Sequence, residues 1–452
     1  MSHTTADIII CGAGIAGISA AYQLAAKKGV KNILLVDERA PLSLTSDKST
    51  ECYRNWWPGP GDAMVALMNR SIDILEDLAR ESDNVFHMNR RGYLYASADP
   101  KRIAEMRRAG EEAATLGAGP LRCHTRDDST YVPSAAHGFE SELTGSDLIL
   151  DPALIRRYFP YLAENTLAVL HARRCGWLSA QTLGMYMLER ARDCGVRFRS
   201  ARVVGVDARN DRIETIRLSD GTTISTGTFI IAAGPLSKQV AALIGVDLPV
   251  LTELHLNVGL RDDLGVFPRD APLLIWTDPQ FIAWSEEERT AFAESEETRF
   301  LLNEFPSGVH ARSEGNYFLG LWTYDTTPVE PVYPPTFDPH HPEIVLRGLT
   351  TMLPPLKVYR DKPPRPVLNG GYYCKTRENR PLIGPLPMRG AYVIDALSGF
   401  GIMAACAAGE LLAAHIVGQV GNLSYAPAFM LERYQDPEYQ KLLENWGASG
   451  QL

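Results

Sequence analysis

Three glycines near the amino terminus have the spacing of a phosphate-binding turn. Gly12, Gly14 and Gly17 form the pattern GxGxxG directly after a short apolar run at residues 7–11. In such a turn the first glycine permits a tight bend, the second lets a pyrophosphate approach the backbone, and the third lets the next helix pack on the strand. The free N–H groups at the start of that helix attract phosphate.

A carboxylate stands where the ribose of a dinucleotide would lie. Asp37 ends the next apolar run, 20 residues after Gly17, and Glu38 follows it. A carboxylate at this distance accepts hydrogen bonds from ribose hydroxyls. It also repels a 2′-phosphate. The glycines and the acid together therefore predict a site for FAD or NAD rather than NADP.

The elements around these residues form a βαβ unit. The apolar runs at 7–11 and 33–36 are typical of buried parallel strands, and the alanine-rich segment 18–29 has helical periodicity. This arrangement predicts a parallel sheet. Near the other end of the chain, a strand at 392–395 leads through the glycine turn 399–401 into a last helix.

The rest of the chain alternates between helical and extended patterns. The predicted helices are 63–82, 100–117 and 182–195. The predicted strands are 93–96, a hairpin of 198–207 with 213–218, then 228–233 and 317–324. Residues 262–312 lack a clear period, which indicates insertion loops and edge strands. The proline-rich segment 328–342 predicts an extended loop.

Composition and charge narrow the class of protein. The chain has 452 residues, of which 45% are hydrophobic and 22% charged, as in globular proteins that build their own core. Its net charge of −9 argues against nucleic-acid binding, because that binding depends on neutralising phosphates. The seven cysteines are scattered without a CxxC pair, which favours a reducing, cytoplasmic compartment and no structural metal. Glu410 and His415 interrupt the apolar segment 398–418, so it predicts a buried helix rather than a membrane span.

Five sequence blocks occur in the order and spacing of a known enzyme family. They are LLVDERAPLSLTSDKSTECYRNWW, GWLSAQTLGMYMLERARDCGVRF, FIIAAGPLSKQVAALIGVDLPV, YYCKTRENRPLIGP and ALSGFGIMAACAAGELLAAHI. Residues 7–421 thereby resemble the FAD-dependent amine and amino-acid oxidoreductases of the D-amino-acid-oxidase type, which include sarcosine oxidase, glycine oxidase and dimethylglycine dehydrogenase. The resemblance is weakest over 122–152 and 254–366.

The resemblance implies an α/β fold with two interleaved parts. A glutathione-reductase-type FAD-binding Rossmann domain, with its parallel sheet and βαβ unit, would be interleaved with a mainly antiparallel β-sheet substrate domain. The expected FAD-binding domain comprises residues 1–85, 155–240 and 365–425. The expected substrate domain comprises residues 86–154 and 241–364. Residues 426–452 would form a C-terminal helical tail.

The same resemblance assigns cofactor contacts along the chain. Ser49 would lie against the flavin, and Val203 would pair its backbone with the adenine. The helix that begins near Gly401 would point its N-terminus at the flavin's pyrimidine edge and stabilise the reduced anion. The expected FAD contacts are Gly12, Gly14, Ile15, Ala16, Gly17, Asp37, Glu38, Lys48, Ser49, Thr50, Val203, Ala233, Gly234, Gly384, Gly399, Gly401, Ile402 and Met403.

Members of the family remove a hydride equivalent from the carbon beside an amine, giving an imine that water hydrolyses. The amine must be neutral, which costs about 4 kcal/mol at pH 7 for a pKa near 10. Arg54 aligns with the family's carboxylate-binding arginine, and its charge would also lower the pKa of the amine. The expected catalytic residues are Arg54, Tyr373, Phe400 and Met403. An aromatic cage for the amine would draw on Tyr53, Trp56, Trp57, Trp322, Tyr324, Tyr373 and Phe400.

Two departures from the family concern positive charge. Met403 stands where a second cation is often found, and no lysine occurs between Gln239 and Leu356, where sarcosine oxidase has its oxygen-activating lysine. The lack of these two cations favours a slow reaction of the reduced flavin with oxygen. The expected electron acceptor is therefore either oxygen, reacting slowly, or a quinone- or dye-like compound. Arg312 or His310 would be the substitute charge.

A third departure concerns flavin attachment. Gly371 stands at the position of the family's flavin-linked cysteine, which predicts non-covalent FAD. Cys374, three residues later, is expected to be a small apolar filler of the core.

These observations predict an FAD-dependent enzyme that oxidises the CH–NH bond of a small-molecule amine or amino acid, with secondary or N-alkylated amines favoured. Two alternatives stay open. A flavin monooxygenase would carry a mid-chain Gly-Asp flavin motif and use NAD(P)H. A non-catalytic flavin-fold regulatory subunit would bind FAD without being reduced by any amine.

Overall fold

The computed structural model describes residues 4–126, 130–444 and 446. The strands are β1 (Thr4–Thr5), β2 (Ile8–Cys11), β3 (Ile33–Asp37), β4 (Cys52–Arg54), β5 (Tyr93–Ser97), β6 (Leu121–His124), β7 (Ser146–Ile149), β8 (Ala168–Ala172), β9 (Cys175–Trp177), β10 (Arg197–Ser200), β11 (Val203–Arg209), β12 (Arg212–Leu218), β13 (Thr223–Ser225), β14 (Thr228–Ile231), β15 (Leu251–Arg261), β16 (Leu273–Trp276), β17 (Gln280–Phe281), β18 (Glu304–Phe305), β19 (His310–Glu314), β20 (Tyr317–Leu321), β21 (Val367–Lys375), β22 (Leu382–Pro385) and β23 (Ala391–Asp395). The α-helices are α1 (Ile15–Tyr22), α2 (Ala63–Glu81), α3 (Pro100–Ala113), α4 (Pro152–Tyr158), α5 (Ala180–Asp193), α6 (Ser237–Ala242), α7 (Glu286–Glu294), α8 (His341–Met352), α9 (Gly401–Ile416) and α10 (Pro437–Glu444).

A six-stranded sheet carries the predicted βαβ unit. Its order is β10-β3-β2-β14-β23-β22, with every pair parallel except β22 with β23. Ile8 and Ile10 face one core cluster, whereas Ile9 and Cys11 face another. Both faces of the sheet are therefore buried, which is why these strands read as continuous apolar runs. The predicted α/β fold class is confirmed.

The helix after the glycine turn begins earlier than predicted. α1 starts at Ile15 rather than at residue 18, and a π-helical turn, Gln23–Lys27, follows its end at Tyr22. Gly14 is the N-cap in an extended conformation (φ −73°, ψ 179°), so the helix opens directly on the turn. Its N-terminus thus lies at the edge of the sheet where a phosphate would bind.

The last helix, α9, is packed between other elements. It contacts α1 and α2, and 12 of its 16 residues are buried. Arg70 on α2 holds its one acidic side chain, with Nε 2.7 Å from Oε2 of Glu410. In the described part of the chain, one helical stretch, Ser398–Ile416, is long and apolar enough to cross a membrane by length and composition, and 72% of it is buried inside the fold.

A nine-stranded sheet forms the second large layer. Its order is β21-β15-β20-β19-β16-β5-β8-β7-β6, and six of its eight pairings are antiparallel. The prediction that 262–312 contributes only loops and edge strands is wrong, because β16 lies inside this sheet between β19 and β5. β16 is four residues long and wholly buried, which is too short to show a period in the sequence.

The strand predicted at 198–207 is two strands in different sheets. β10 pairs in parallel with β3, whereas β11 pairs with β12 as the predicted hairpin. The chain passes from one sheet to the other at residues 201–202. Two consecutive apolar-polar strands separated by so short a break read as one in the sequence.

Sheet membership departs from the expected domain ranges at two strands. β8 and β21 belong to the nine-stranded sheet, although both lie in residue ranges expected to form part of the FAD-binding domain. The domain borders stay a prediction. In the expected helical tail, 3₁₀ turns at Ala426–Phe429 and Leu431–Gln435 precede α10, and residues 445 and 447–452 lie outside the described residues.

Candidate functional site

A cleft lies at the carboxyl ends of the parallel strands. Its volume is about 430 Å³. The carboxyl ends of β2, β3, β14 and β23 all contribute residues to it, as do the loop after β3 and the end of β21. Ligands of open parallel sheets bind at this edge, because the loops and helix N-termini that follow the strands converge there.

The glycine turn has the close packing that its sequence predicts at Gly12 and Gly17. Gly12 adopts φ +113°, and a Cβ on it would lie 2.2 Å from the carbonyl oxygen of Ala232. A Cβ on Gly17 would lie 1.9 Å from the carbonyl oxygen of Gly12, so the helix packs closely on the turn. Gly14 has a φ of −73°, which is open to any residue. Its Cβ would point toward Ser46 Oγ at 3.3 Å, so only close approach of a ligand requires glycine there.

Asp37, the last residue of β3, holds the glycine turn against that strand through hydrogen bonds. Its Oδ2 accepts a hydrogen bond of 2.7 Å from the Ala13 backbone N–H, and its Oδ1 accepts one of 2.9 Å from that of Arg39. The carboxylate lines the cleft and keeps lone pairs for ribose hydroxyls. The turn, the helix N-terminus and the acid fit the pyrophosphate and ribose of FAD.

Most of the expected cofactor residues meet in this cleft. Those that line it are Gly12, Gly14, Ile15, Ala16, Asp37, Glu38, Ser49, Val203, Ala233, Gly234, Gly399, Gly401 and Ile402. Thr50 and Met403 line a smaller cavity beside it instead.

Three expected cofactor residues line neither of these two cavities. Gly17 packs against the turn as described above. Lys48 pairs with Asp47, with Nζ 2.7 Å from Oδ1. Gly384 lies on β22, where a Cβ would meet Met430 and His415. The family pattern gives these positions by alignment, but in the structure their neighbours are other protein groups and they do not line the two cavities.

The cleft also holds residues that the sequence analysis did not assign to it. Ser46 Oγ accepts a hydrogen bond of 3.0 Å from the Ile15 N–H and so occupies part of the helix N-terminus. Asp395, at the end of β23, is buried in the cleft wall, and burial raises its pKa to about 7. Its position after a parallel strand is a signal that the sequence did offer.

Cys374 is more than an apolar filler. It lines the cleft, and its Sγ lies 3.2 Å from Oδ2 of Asp395, so it joins the end of β21 to the end of β23. Gly371, the position of the family's flavin-linked cysteine, lies where a Cβ would be 3.0 Å from that of Lys48.

The smaller cavity, of about 60 Å³, adjoins the cleft. The two share Ser49, Tyr373 and Gly399. Its polar lining includes Arg54, His310, Thr50 and Thr323, whereas its apolar walls are Leu273, Leu321, Phe400 and Met403. All four expected catalytic residues, Arg54, Tyr373, Phe400 and Met403, therefore meet here.

Arg54 reaches this cavity from β4, which pairs with β9. The residue is 4% exposed. Its Nη1 lies 3.2 Å from the Tyr95 hydroxyl, and its guanidinium carbon lies 4.8 Å from the centre of the Trp57 ring. A guanidinium does not lose its proton in a protein, so this is a fixed buried cation held among aromatic rings.

The expected aromatic cage is not assembled in the described residues. Tyr373 and Phe400 line the small cavity, joined by Tyr93, but the other five candidates, Tyr53, Trp56, Trp57, Trp322 and Tyr324, do not line it. Tyr53 donates to the Asn89 carbonyl at 2.6 Å, and Trp322 Nε1 donates to that of Pro306 at 3.0 Å. These rings have core partners, as most buried aromatic side chains do.

The two candidate substitute charges differ in position. Arg312 lines neither cavity; its Nε donates to the Thr50 carbonyl at 2.6 Å, so it supports the loop from behind. His310 lines the small cavity, and its Nδ1–H donates to the Gly308 carbonyl at 2.9 Å. Burial lowers the pKa of His310 to about 4, helped by the nearby positive charge of Arg54. His310 is therefore a neutral hydrogen-bond acceptor at Nε2 rather than a cation at neutral pH.

Comparison with curated proteins finds distant relatives. Sarcosine oxidase subunit beta from Rhodobacter capsulatus is 22% identical over 245 residues, and the protein of that name from Rhizobium meliloti is 23% identical over 247. Each alignment covers 54% of this chain and 53% of the relative. The chain thus spans about half the length of the curated relatives it matches.

Solved structures share the fold over nearly the whole chain. L-proline dehydrogenase from P. horikoshii superposes with a TM-score of 0.74 at 19% identity, covering 96% of this chain and 99% of that one. Glycine oxidase from Geobacillus kaustophilus gives 0.72 at 15% identity, with the same two coverages. At such identities the likeness shows the fold alone.

The family model named DAO, described as FAD dependent oxidoreductase, matches residues 7–415. That range includes the glycine turn, Asp37 and both cavities. The cleft suits a dinucleotide and the family model covers most of the chain, so this chain belongs to the DAO family of FAD dependent oxidoreductases.

Proposed function

We propose that this flavoenzyme oxidises the CH–NH bond of a small amine that carries a carboxylate, giving an imine that water hydrolyses. The observation that carries the proposal is Arg54, a buried guanidinium lining a cavity that adjoins the FAD cleft. A guanidinium binds a carboxylate through two parallel hydrogen bonds. The names of the relatives, sarcosine oxidase and glycine oxidase among them, support this substrate class.

The cavity supports a substrate of amino-acid size. Its volume of about 60 Å³ suits a short side chain. Leu273 and Leu321 give it an apolar wall, and such a wall favours an N-alkyl substituent. A secondary or N-alkylated amino acid is therefore the preferred substrate.

The residues bind, orient and deprotonate the substrate. FAD, when bound, supplies the acceptor for the hydride equivalent. Arg54 would hold the carboxylate, and its charge would lower the pKa of the amine. Tyr373 and Phe400 would fix the plane of the substrate between the two cavities. His310, neutral with Nε2 as acceptor, would receive a hydrogen bond from the substrate rather than repel its charge.

An anaerobic panel of amines tests the proposal. The protein should be mixed with glycine, sarcosine, L-proline, D-proline and methylamine, with loss of flavin absorbance as the readout. Sarcosine or a proline enantiomer should bleach the flavin far faster than methylamine, which has no carboxylate. Reduction by no member of the panel, in a protein that binds FAD, would favour the regulatory-subunit alternative. Bleaching by NADPH alone would favour the monooxygenase alternative.

Two further expectations belong with this proposal. All seven cysteines are free thiols, which supports a reducing compartment, and we propose a cytoplasmic location. The neutral state of His310 and the lack of lysine between Gln239 and Leu356 support a quinone- or dye-like electron acceptor over oxygen.

A further inference from the structure

Behind the small cavity, three side chains form a continuous hydrogen-bonded chain. Thr323 lines the cavity, and its Oγ1 lies 3.2 Å from Nδ1 of His255. The other ring nitrogen, Nε2, lies 3.0 Å from Oε2 of Glu253. Lys375 Nζ contacts the same carboxylate at 3.1 Å. The sequence does not bring these residues together, because they come from β15, β21 and the segment after β20.

The direction of each hydrogen bond follows from the charges. Although burial disfavours a charge on Glu253, the His255 and Lys375 donors lower the pKa of its carboxyl, so it is ionised and can only accept. His255 must then carry its proton on Nε2, which leaves a lone pair on Nδ1. The Thr323 hydroxyl therefore donates to Nδ1. Its oxygen lone pairs stay available to a donor in the cavity.

The imidazole is enclosed on every side. His255 is 3% exposed, and its ring stacks on Tyr373 with 4.2 Å between ring centres. Burial lowers the pKa of His255. The negative charges of Glu253 and Asp325 act to raise this pKa, and the positive charge of Lys375 acts to lower it. His341 on α8 lies close enough to interact electrostatically with His255, and burial lowers its own pKa to about 4, so it is neutral. His255 is thus a neutral base with an anion fixed behind it.

We propose that Thr323, His255 and Glu253 form a relay that takes the proton from the substrate ammonium group; this rests on the proposed function above. The ammonium N–H donates to Thr323 Oγ1. The proton passes to that oxygen as the hydroxyl proton passes to His255 Nδ1. The net result is a neutral amine and an imidazolium whose Nε2–H bonds to ionised Glu253. Thr323 is the group that touches the substrate, and His255 and Glu253 are positioning residues that act through it.

The relay predicts how the reductive half-reaction depends on pH. With a proton acceptor built in, the ammonium form that dominates at neutral pH is productive. The rate constant for flavin reduction divided by the substrate dissociation constant should then be nearly flat from pH 7 to 9. Without the relay only free neutral amine reacts, and this ratio should rise about tenfold per pH unit below an amine pKa near 10.

The matched variants are Thr323→Val, which has a similar shape but no hydroxyl, and Thr323→Ser, which keeps it. With sarcosine under anaerobic conditions, Thr323→Val should lose on the order of 10²-fold at pH 7 and little at pH 10. Thr323→Ser should retain the wild-type profile. The amount of bound flavin and the thermal midpoint show whether each variant is folded and loaded with FAD. If Thr323→Val loses FAD, Thr323→Ala is used in its place. Parallel pH profiles for wild type and Thr323→Val would overturn the relay.

Binding of compounds that the enzyme cannot oxidise tests the relay independently of turnover. 2-Aminoisobutyrate has no hydrogen on the carbon beside its nitrogen and cannot be oxidised, and isobutyrate lacks the amine altogether. At pH 7, Thr323→Val should weaken binding of 2-aminoisobutyrate at least tenfold, by flavin absorbance titration, and leave isobutyrate unchanged. Equal effects on both would contradict the relay. If no amine in the panel reduces the wild-type flavin, the proposed function itself fails, and the relay falls with it.

Discussion

Arg54 is buried among aromatic rings, and this decides what its removal would do. Its guanidinium lies over Trp57 and Tyr93, so a methionine there keeps much of the packing while removing the charge. Arg54→Met should keep FAD but lose on the order of 10²-fold in flavin reduction by sarcosine, since a charge-assisted bond is worth about 1.5–3 kcal/mol. Methylamine should be affected much less.

The control for that variant is Arg80→Met, which removes an exposed arginine of α2 that lies outside both cavities. It should behave as wild type with both substrates. Equal losses for sarcosine and methylamine in Arg54→Met would mean that Arg54 supports the flavin or the fold rather than the carboxylate.

Asp395 makes stability depend on pH. Its pKa rises from 3.8 to about 7 because it is buried, so the folded state holds a proton that the unfolded state releases between these values. Its contribution to stability is present below about pH 4 and is lost as the pH rises through 7. Asp395→Asn cannot ionise, so its thermal midpoint should rise relative to that of wild type between pH 5 and 8, because its free energy of unfolding gains about 2–4 kcal/mol at most over that of wild type.

Asp193→Asn is the matched control, since its carboxylate is exposed at the end of α5. The difference in midpoint between this variant and wild type should not change with pH over that range. A pH-independent difference for Asp395→Asn as well would show that Asp395 is already ionised in the folded protein.

At the scale of elements, we expect two glycines of the turn between β2 and α1 to have different roles, Gly12 in folding and Gly14 in cofactor binding. A Cβ on Gly12 would strike the Ala232 carbonyl at 2.2 Å, and its φ of +113° is unfavourable for other residues. Gly14 has neither restriction within the protein. Gly14→Val should therefore fold yet lose FAD, whereas Gly12→Ala should be destabilised as a polypeptide. Far-UV circular dichroism and bound flavin measure the two effects, and stoichiometric FAD in Gly14→Val would show that phosphate does not approach there.

The loop before β4 is held by an element of the other sheet. Arg312 on β19 is 1% exposed and donates to the Thr50 carbonyl, and its guanidinium lies 5.4 Å from the Trp177 ring centre. The nine-stranded sheet thus supports the residues expected beside the flavin, although they follow a strand of the six-stranded sheet. This explains why Arg312 is buried without lining a cavity.

At the scale of the whole molecule, the surroundings of the cleft predict that FAD is bound without a covalent bond. Gly371 offers no nucleophile, and Cys374 is buried with burial raising its pKa well above the usual value, so it is not a thiolate. Acid precipitation should therefore release all the flavin into the supernatant. Flavin retained by the washed precipitate would contradict non-covalent binding, and peptide mapping would then examine Cys374 first.

Electron transfer to oxygen depends on charge gathered from several elements. His310 is neutral, Arg312 faces away, and Lys375 is tied to Glu253, which leaves Arg54 as the fixed cation among the described residues lining the small cavity. Reduced enzyme should reoxidise slowly in air and faster with a quinone. Stopped-flow reoxidation measures both, and an oxygen rate that matches turnover would contradict the expectation.

The sequence by itself determined the features that depend on local spacing. The GxGxxG turn, Asp37 and the apolar runs lie within 37 residues, so the pattern shows strand, turn, helix and acid together. The resemblance to the family identifies Arg54, and the structure places it in the lining of the small cavity beside the cleft. In each case the residues that act together are neighbours in the chain or keep a fixed spacing across the family.

Only the tertiary structure decided which distant side chains meet. Thr323 lies beside His255 because β15 and β20 pair with Asn257 opposite Leu321, a register that no short pattern encodes. Lys48 and Gly384 do not line either cavity for the same reason, since tertiary packing sets which residues reach a cavity. Cys374 and Asp395 are 21 residues apart and meet because their strands end at the same edge of the cleft. Such contacts depend on how sheets pair and pack, and a single sequence carries no direct record of that.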